Sequence, residues 1–129
     1  MAAELQLLGL AIVVGIVQLL WAAVSARMQQ NLEWARGPRD EPMPIHGVAA
    51  RLDRAFRNFM ETFPFFAAAV LAAVAADKLG TLTLWGAGLY VAARAVYVPL
   101  YAFGVPTVRT LVWAVGLVGL FMVVAAIFL

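Results

Sequence analysis

Two long stretches without a charge constrain this chain more than any other feature. The run from Leu5 to Ala26 is 22 residues and the run from Thr110 to Leu129 is 20. At about 1.5 Å per residue, either one crosses the roughly 30 Å of bilayer hydrocarbon as a helix. A soluble core of this size does not call for 65% hydrophobic and only 12% charged residues. The chain therefore reads as an all-α integral membrane protein. Only Glu4 stands ahead of the first apolar run, which lacks the positive flank of a cleaved export signal and is expected to be retained. A net charge of +2 does not imply nucleic acid, because no basic, aromatic-interleaved segment stands outside the membrane.

The breaks between apolar runs predict a single membrane domain, a bundle of four transmembrane helices at about residues 3–36, 48–76, 81–103 and 106–129. The first is expected to continue beyond the bilayer to Arg36, where Gly37 and Pro38 stop it. Pro42, Pro44 and Gly47 make a loop, Asp77, Lys78 and Gly80 a tight exit, and Gly104 with Pro106 divides the last two helices. Pro64 and Pro99 each remove a helical hydrogen bond, which membrane helices tolerate, while Gly86 and Gly119 allow close helix approach. Six arginines (27, 36, 39, 51, 54 and 57) lie between the first two apolar runs, against Lys78 alone in the next connection. That asymmetry places the first connection in the cytoplasm and both termini on the opposite side. Arg94 and Arg109 return to the cytoplasmic side, so the costly charges are expected at one depth.

Cysteine is absent, and Ser25, His46 and Lys78 are each the sole residue of their type. Thiolate metal sites, iron–sulfur clusters and protein-thiol chemistry are excluded, one histidine makes no metal cluster, and Ser25 has no histidine near it in sequence. No metal site is expected. The nucleophile of any substitution reaction has to arrive with a second substrate.

At 100° per residue, Arg51, Arg54, Asn58 and Glu61 share an arc of about 80°, with Arg57 about 40° beyond it. Tyr90, Arg94, Tyr97 and Tyr101 share an arc of about 60° on the next helix, and Arg109 and Thr110 open the last. Arg51, Arg54, Arg57, Arg94 and Arg109 outnumber Asp53 and Glu61 by three. An unpaired charge in a membrane helix costs about 2.5–3.5 kcal/mol, so this excess asks for an anion. A tripeptide thiol such as glutathione matches it: carboxylates for arginines, an ammonium for Glu61, amides for Asn58. A free thiol titrates near about 8.5, and a neighbouring guanidinium favours its thiolate. Arg109, with Thr110 or a tyrosine hydroxyl, is the candidate for that task, and an apolar electrophile would arrive through the lipid.

The stretch Arg51-Leu-Asp-Arg-Ala-Phe-Arg-Asn-Phe-Met-Glu-Thr-Phe-Pro-Phe-Phe66, with its kernel Arg54-x-x-x-Asn58-x-x-Glu61, resembles the signature helix of the membrane-associated proteins in eicosanoid and glutathione metabolism, the MAPEG family. Arg94-x-x-Tyr97-x-x-x-Tyr101 followed by Arg109 is similar to the third and fourth helices of its leukotriene- and prostaglandin-synthesising members. The resemblance covers essentially the whole chain. It implies a homotrimer with glutathione, a co-substrate, held between subunits. It also implies that Arg54, Asn58, Glu61, Tyr97 and Tyr101, with Arg94 in the same set, contact glutathione. Arg109, with Thr110 beside it, would stabilise the thiolate, and Arg27 would reach a carboxylate. Phe56 stands where some eicosanoid-forming members carry a polar residue, and the Tyr101 to Arg109 spacing varies across the family. The short first loop and the motif wording look most like the bacterial branch, which implies an inner-membrane location and points away from an eicosanoid substrate.

The expected function is that of a glutathione-dependent transferase or peroxidase acting on a lipophilic electrophile or hydroperoxide, with membrane lipids and its own copies as partners. The competing expectation is a non-catalytic membrane binder or scaffold on the same fold. A plainer reading of the first stripe is interfacial ion pairing, Arg57 with Glu61 and Arg51 with Asp53. His46 reads as a solvated loop residue, and Phe59, Trp113 and the other phenylalanines and tryptophans as packing or interface residues. An ion pathway would need charge spread through the membrane depth.

Overall fold

A computed structural model describes residues 1–129 and contains five helices and no strand. They are α1 (Ala3–Gln29), α2 (Leu32–Arg36), α3 (Gly47–Ala75), α4 (Thr81–Ala102) and α5 (Pro106–Phe128). Helices α1, α3 and α5 are long and apolar enough to cross a membrane. Helix α4 has the length, at 22 residues, but Arg94 and three tyrosines lower its hydropathy. Only 29 of 129 residues are buried, and the outward faces carry Leu10, Val17, Leu20, Phe65, Trp85 and Phe121, a distribution suited to lipid rather than water. The protein is integral to the membrane.

Short connections after α3 and α4 force α3, α4 and α5 to run antiparallel in turn, and three contacts fix the arrangement. Thr83 Oγ1 donates to Glu4 Oε2 at 2.6 Å, which joins the first turns of α1 and α4. Arg51 Nε donates to the Ala102 carbonyl at 2.8 Å, which joins the start of α3 to the end of α4. Gly86 and Gly119 bring α4 and α5 together so closely that a Cβ on Gly119 would lie 2.5 Å from the Gly86 carbonyl oxygen. The main core, Leu8, Phe66, Val70, Tyr90, Leu120 and Val123 among others, occupies the half of the bundle holding Glu4. A smaller cluster of Ala22, Leu52, Val98 and Ala102 lies toward the other end.

Helix ends follow local chemistry. Lys78 N–H reaches the Ala73 carbonyl at 2.9 Å with Asp77 in the left-handed region, so Asp77 rather than Gly80 makes the turn that ends α3. Gly104, at φ +73°, does the same after α4, and Pro106 starts α5 where no donor is needed. Two expectations need correction. The first helix does not continue to Arg36: it ends at Gln29, and Asn31 caps the separate α2 by accepting the Trp34 N–H at 2.6 Å. An asparagine amide competes with helix continuation and wins here, helped by Gln29, which exchanges two 2.9 Å hydrogen bonds with the His46 backbone. Nor do all costly charges gather at one depth, because Glu4 is buried at the opposite end, on the Thr83 hydroxyl.

Candidate functional site

Antiparallel α3, α4 and α5 bring one face of each to the same end of the bundle. Asn58 comes from α3, Tyr97 and Tyr101 from α4, and Arg109, Thr110 and Trp113 from α5, and these six line a cleft of about 280 Å³. Tyr97 and Tyr101, four apart, stack edge to face with centroids 5.6 Å apart. The Arg109 guanidinium lies 4.4 Å above the Tyr101 ring, and Arg54 approaches that residue too, donating from Nε to its hydroxyl at 3.2 Å. Tyr101 thus carries two cations, one at its ring face and one at its oxygen.

Arg94 lies beside this wall and is only 2% exposed. Its Nη1 donates to Asn58 Oδ1 at 2.9 Å, and its guanidinium sits 4.3 Å from the Tyr97 centroid and 5.7 Å from that of Phe59. Its Nε and Nη2 have no partner, and no carboxylate forms an ion pair with it. A buried cation with two unpartnered donors is an expensive arrangement in the absence of an anion. One turn further into the bundle, the hydroxyls of Thr62 and Tyr90 are 2.9 Å apart, and the Tyr90 ring stacks on Phe66 at 4.1 Å.

Of the residues singled out in the sequence, Asn58, Tyr97, Tyr101, Arg109 and Thr110 meet in the cleft, with Arg94 and Arg54 flanking it. Glu61 and Arg27 do not line it, and both are exposed; the Arg27 guanidinium bonds to Gln30 instead. The Thr110 hydroxyl donates to the Pro106 carbonyl of its own helix at 3.3 Å and leaves its oxygen free to accept. The ion pairs of the plainer reading, Arg57 with Glu61 and Arg51 with Asp53, give way to a different set. Asp53 pairs with Arg57 at 2.8 Å on the exposed surface, and Arg51 holds the end of α4. Trp113 and Phe59 belong to the surroundings of the site and not merely to packing. Trp113 follows Arg109 by one helical turn, the signal that points it into the same cleft.

Fold and site together define an all-α integral membrane protein whose arginines and tyrosines converge at one end of the bundle. The sequence model of the MAPEG family matches residues 6–129, and the chain belongs to that family. No curated protein and no solved structure matches it in the corresponding searches.

Proposed function

We propose that this protein is a glutathione-dependent transferase or peroxidase acting on a lipophilic electrophile or hydroperoxide in the membrane. The observation that carries this reading is Arg94: a buried guanidinium with two free donors beside a cleft walled by Asn58, Tyr97, Tyr101 and Arg109. Family membership supports glutathione as the class of co-substrate. Asn58 and the arginines suit its amides and carboxylates, and Arg109 is the cation available to its sulfur.

In the proposed reaction the thiol proton passes to water and Arg109 holds the thiolate. Sulfur then bonds to the electrophilic carbon as the bond to the leaving group breaks. With a hydroperoxide, sulfur attacks the terminal oxygen, the O–O bond breaks and the alkoxide leaves as the alcohol after taking a proton. A second glutathione reduces the sulfenic acid to the disulfide and water. The protein supplies position and electrostatics, with no nucleophile of its own.

The same reading takes the chain as one four-span domain, residues 1–129, assembled as a homotrimer in a bacterial inner membrane. The first connection faces the cytoplasm. Glutathione held between copies accounts for Arg27 and Glu61 standing outside a single chain's cleft, Arg27 reaching a carboxylate from the next copy. The test is titration calorimetry with glutathione in detergent, followed by turnover of chlorodinitrobenzene and of a lipid hydroperoxide. Saturable binding with turnover, both lost in Asn58→Leu, is the expected result. Binding without turnover of any electrophile identifies a non-catalytic binder, and no binding overturns the reading.

A further inference from the structure

A second cleft lies on another face of the bundle, between α1 and α4. It encloses about 290 Å³ and is bounded by Val13, Val17, Gln18, Trp21, Val98 and Pro99. Its mouth is hydrocarbon: Val13 and Val17 are both more than half exposed, on an apolar outer surface suited to lipid. Its exception is Gln18, 1% exposed, whose amide oxygen and nitrogen both lack a hydrogen-bond partner. Gln18 lies about 22 Å along α1 from Ala3 and about 16 Å from Gln29, near mid-membrane, where no water substitutes for a missing partner. On the facing wall, Pro99 offers no N–H to the carbonyl of Ala95, another residue lining the cleft, and so leaves that acceptor without its helical donor.

A donor and an acceptor buried in the wall of an apolar cleft define their ligand. Its body is a hydrocarbon chain, because the other side chains lining the cleft are apolar. Its polar group lies along the chain rather than at its end, because Gln18 is far from both membrane surfaces. It both donates and accepts, because both atoms of the amide are free. We propose that the α1/α4 cleft binds an acyl chain carrying a mid-chain hydroxyl group, held by the Gln18 amide. The volume takes a segment of such a chain, not a whole lipid. This site is independent of the glutathione reading, since Tyr97 and Tyr101 face the other cleft from α4.

Native mass spectrometry of the full chain released from detergent micelles counts adducts of stearate and of its mid-chain hydroxy derivative. Each is offered as the free acid and as the corresponding phosphatidylcholine. The wild type is expected to bind the hydroxylated chain about threefold to tenfold more tightly, the range one net hydrogen bond supplies in a membrane. Gln18→Leu, which keeps the shape and suits lipid, is expected to bring the two chains to parity while stearate binding persists. Val17→Trp, which fills the cleft, is expected to abolish both. A preference among free acids alone assigns the cleft to free chains, and one among phosphatidylcholines assigns it to bilayer lipid. Parity in the wild type, a preference that survives Gln18→Leu, or unchanged binding to Val17→Trp overturns the proposal. So does a loss of oligomers on Gln18→Leu, which would place the amide's partner on another copy.

Discussion

Arg94→Met removes the buried charge while keeping a long, unbranched side chain of similar reach, and its effect divides into two parts that one assay separates. Burying a cation at membrane depth costs about 3 kcal/mol. Against this stand one charge-assisted hydrogen bond to Asn58, worth about 2 kcal/mol, and the cation–π contact with Tyr97, worth about 1 kcal/mol. These terms cancel to within about 1 kcal/mol and leave the Nε and Nη2 donors as the uncompensated part, while Asn58, half-buried on the cleft, loses one donor at about 1 kcal/mol or less. Ligand-free stability is therefore expected to change by no more than about 2 kcal/mol. The ligand-linked part behaves differently. At a hundredfold excess of glutathione over its dissociation constant the wild type is expected to gain about 2.7 kcal/mol by mass action, and the variant to lose most of that gain. Reversible unfolding in mixed micelles, with and without glutathione, measures both parts. A ligand-free loss above about 4 kcal/mol would show that contacts within the fold stabilise Arg94 well beyond the cost of burying it, so that it calls for no anion. An undiminished response to glutathione would remove Arg94 from the anion site.

Gly119→Ala places a Cβ 2.5 Å from the Gly86 carbonyl oxygen and 2.8 Å from the Tyr90 nitrogen, both backbone atoms that cannot step aside. The same unfolding assay is expected to show a loss of about 2–3 kcal/mol, while Gly9→Ala, with nothing within 4 Å, costs nothing measurable. Thr62→Val strands the buried Tyr90 hydroxyl and should cost about 1–2 kcal/mol, a loss that Tyr90→Phe in the same chain largely removes. Asn31→Ala removes the cap of α2 at about 1 kcal/mol. Amide exchange should quicken over residues 32–36 while glutathione binding stays unchanged.

Much of the fold is legible because lipid imposes a simple rule: apolar runs of sufficient length become helices, and glycine, proline and asparagine divide them. Convergence of Asn58, Tyr97, Tyr101, Arg109 and Thr110 is legible too, since helical spacing puts each on one face and antiparallel connections bring those faces to one end. Where sequence reading stopped short, the deciding contact was small or distant. Asn31 ends a helix through one hydrogen bond, and Glu4 is buried because Thr83, 79 positions on, supplies a hydroxyl. Arg57 has a carboxylate four residues away on either side. The observed choice of Asp53 follows the preference for an acid N-terminal to its base. Phe59 sits under Arg94 only because α3 and α4 dock in this register, which nothing in either helix alone specifies.

The central claim is that this cleft holds a thiol in its deprotonated form. Ultraviolet difference absorbance of the purified protein at neutral pH, recorded as glutathione is added to saturation, tests it most directly. The account predicts a thiolate band that grows with occupancy in the wild type and is largely lost in Arg109→Gln at equal occupancy. Saturable binding with no thiolate band, or a band of equal strength in Arg109→Gln, would contradict it.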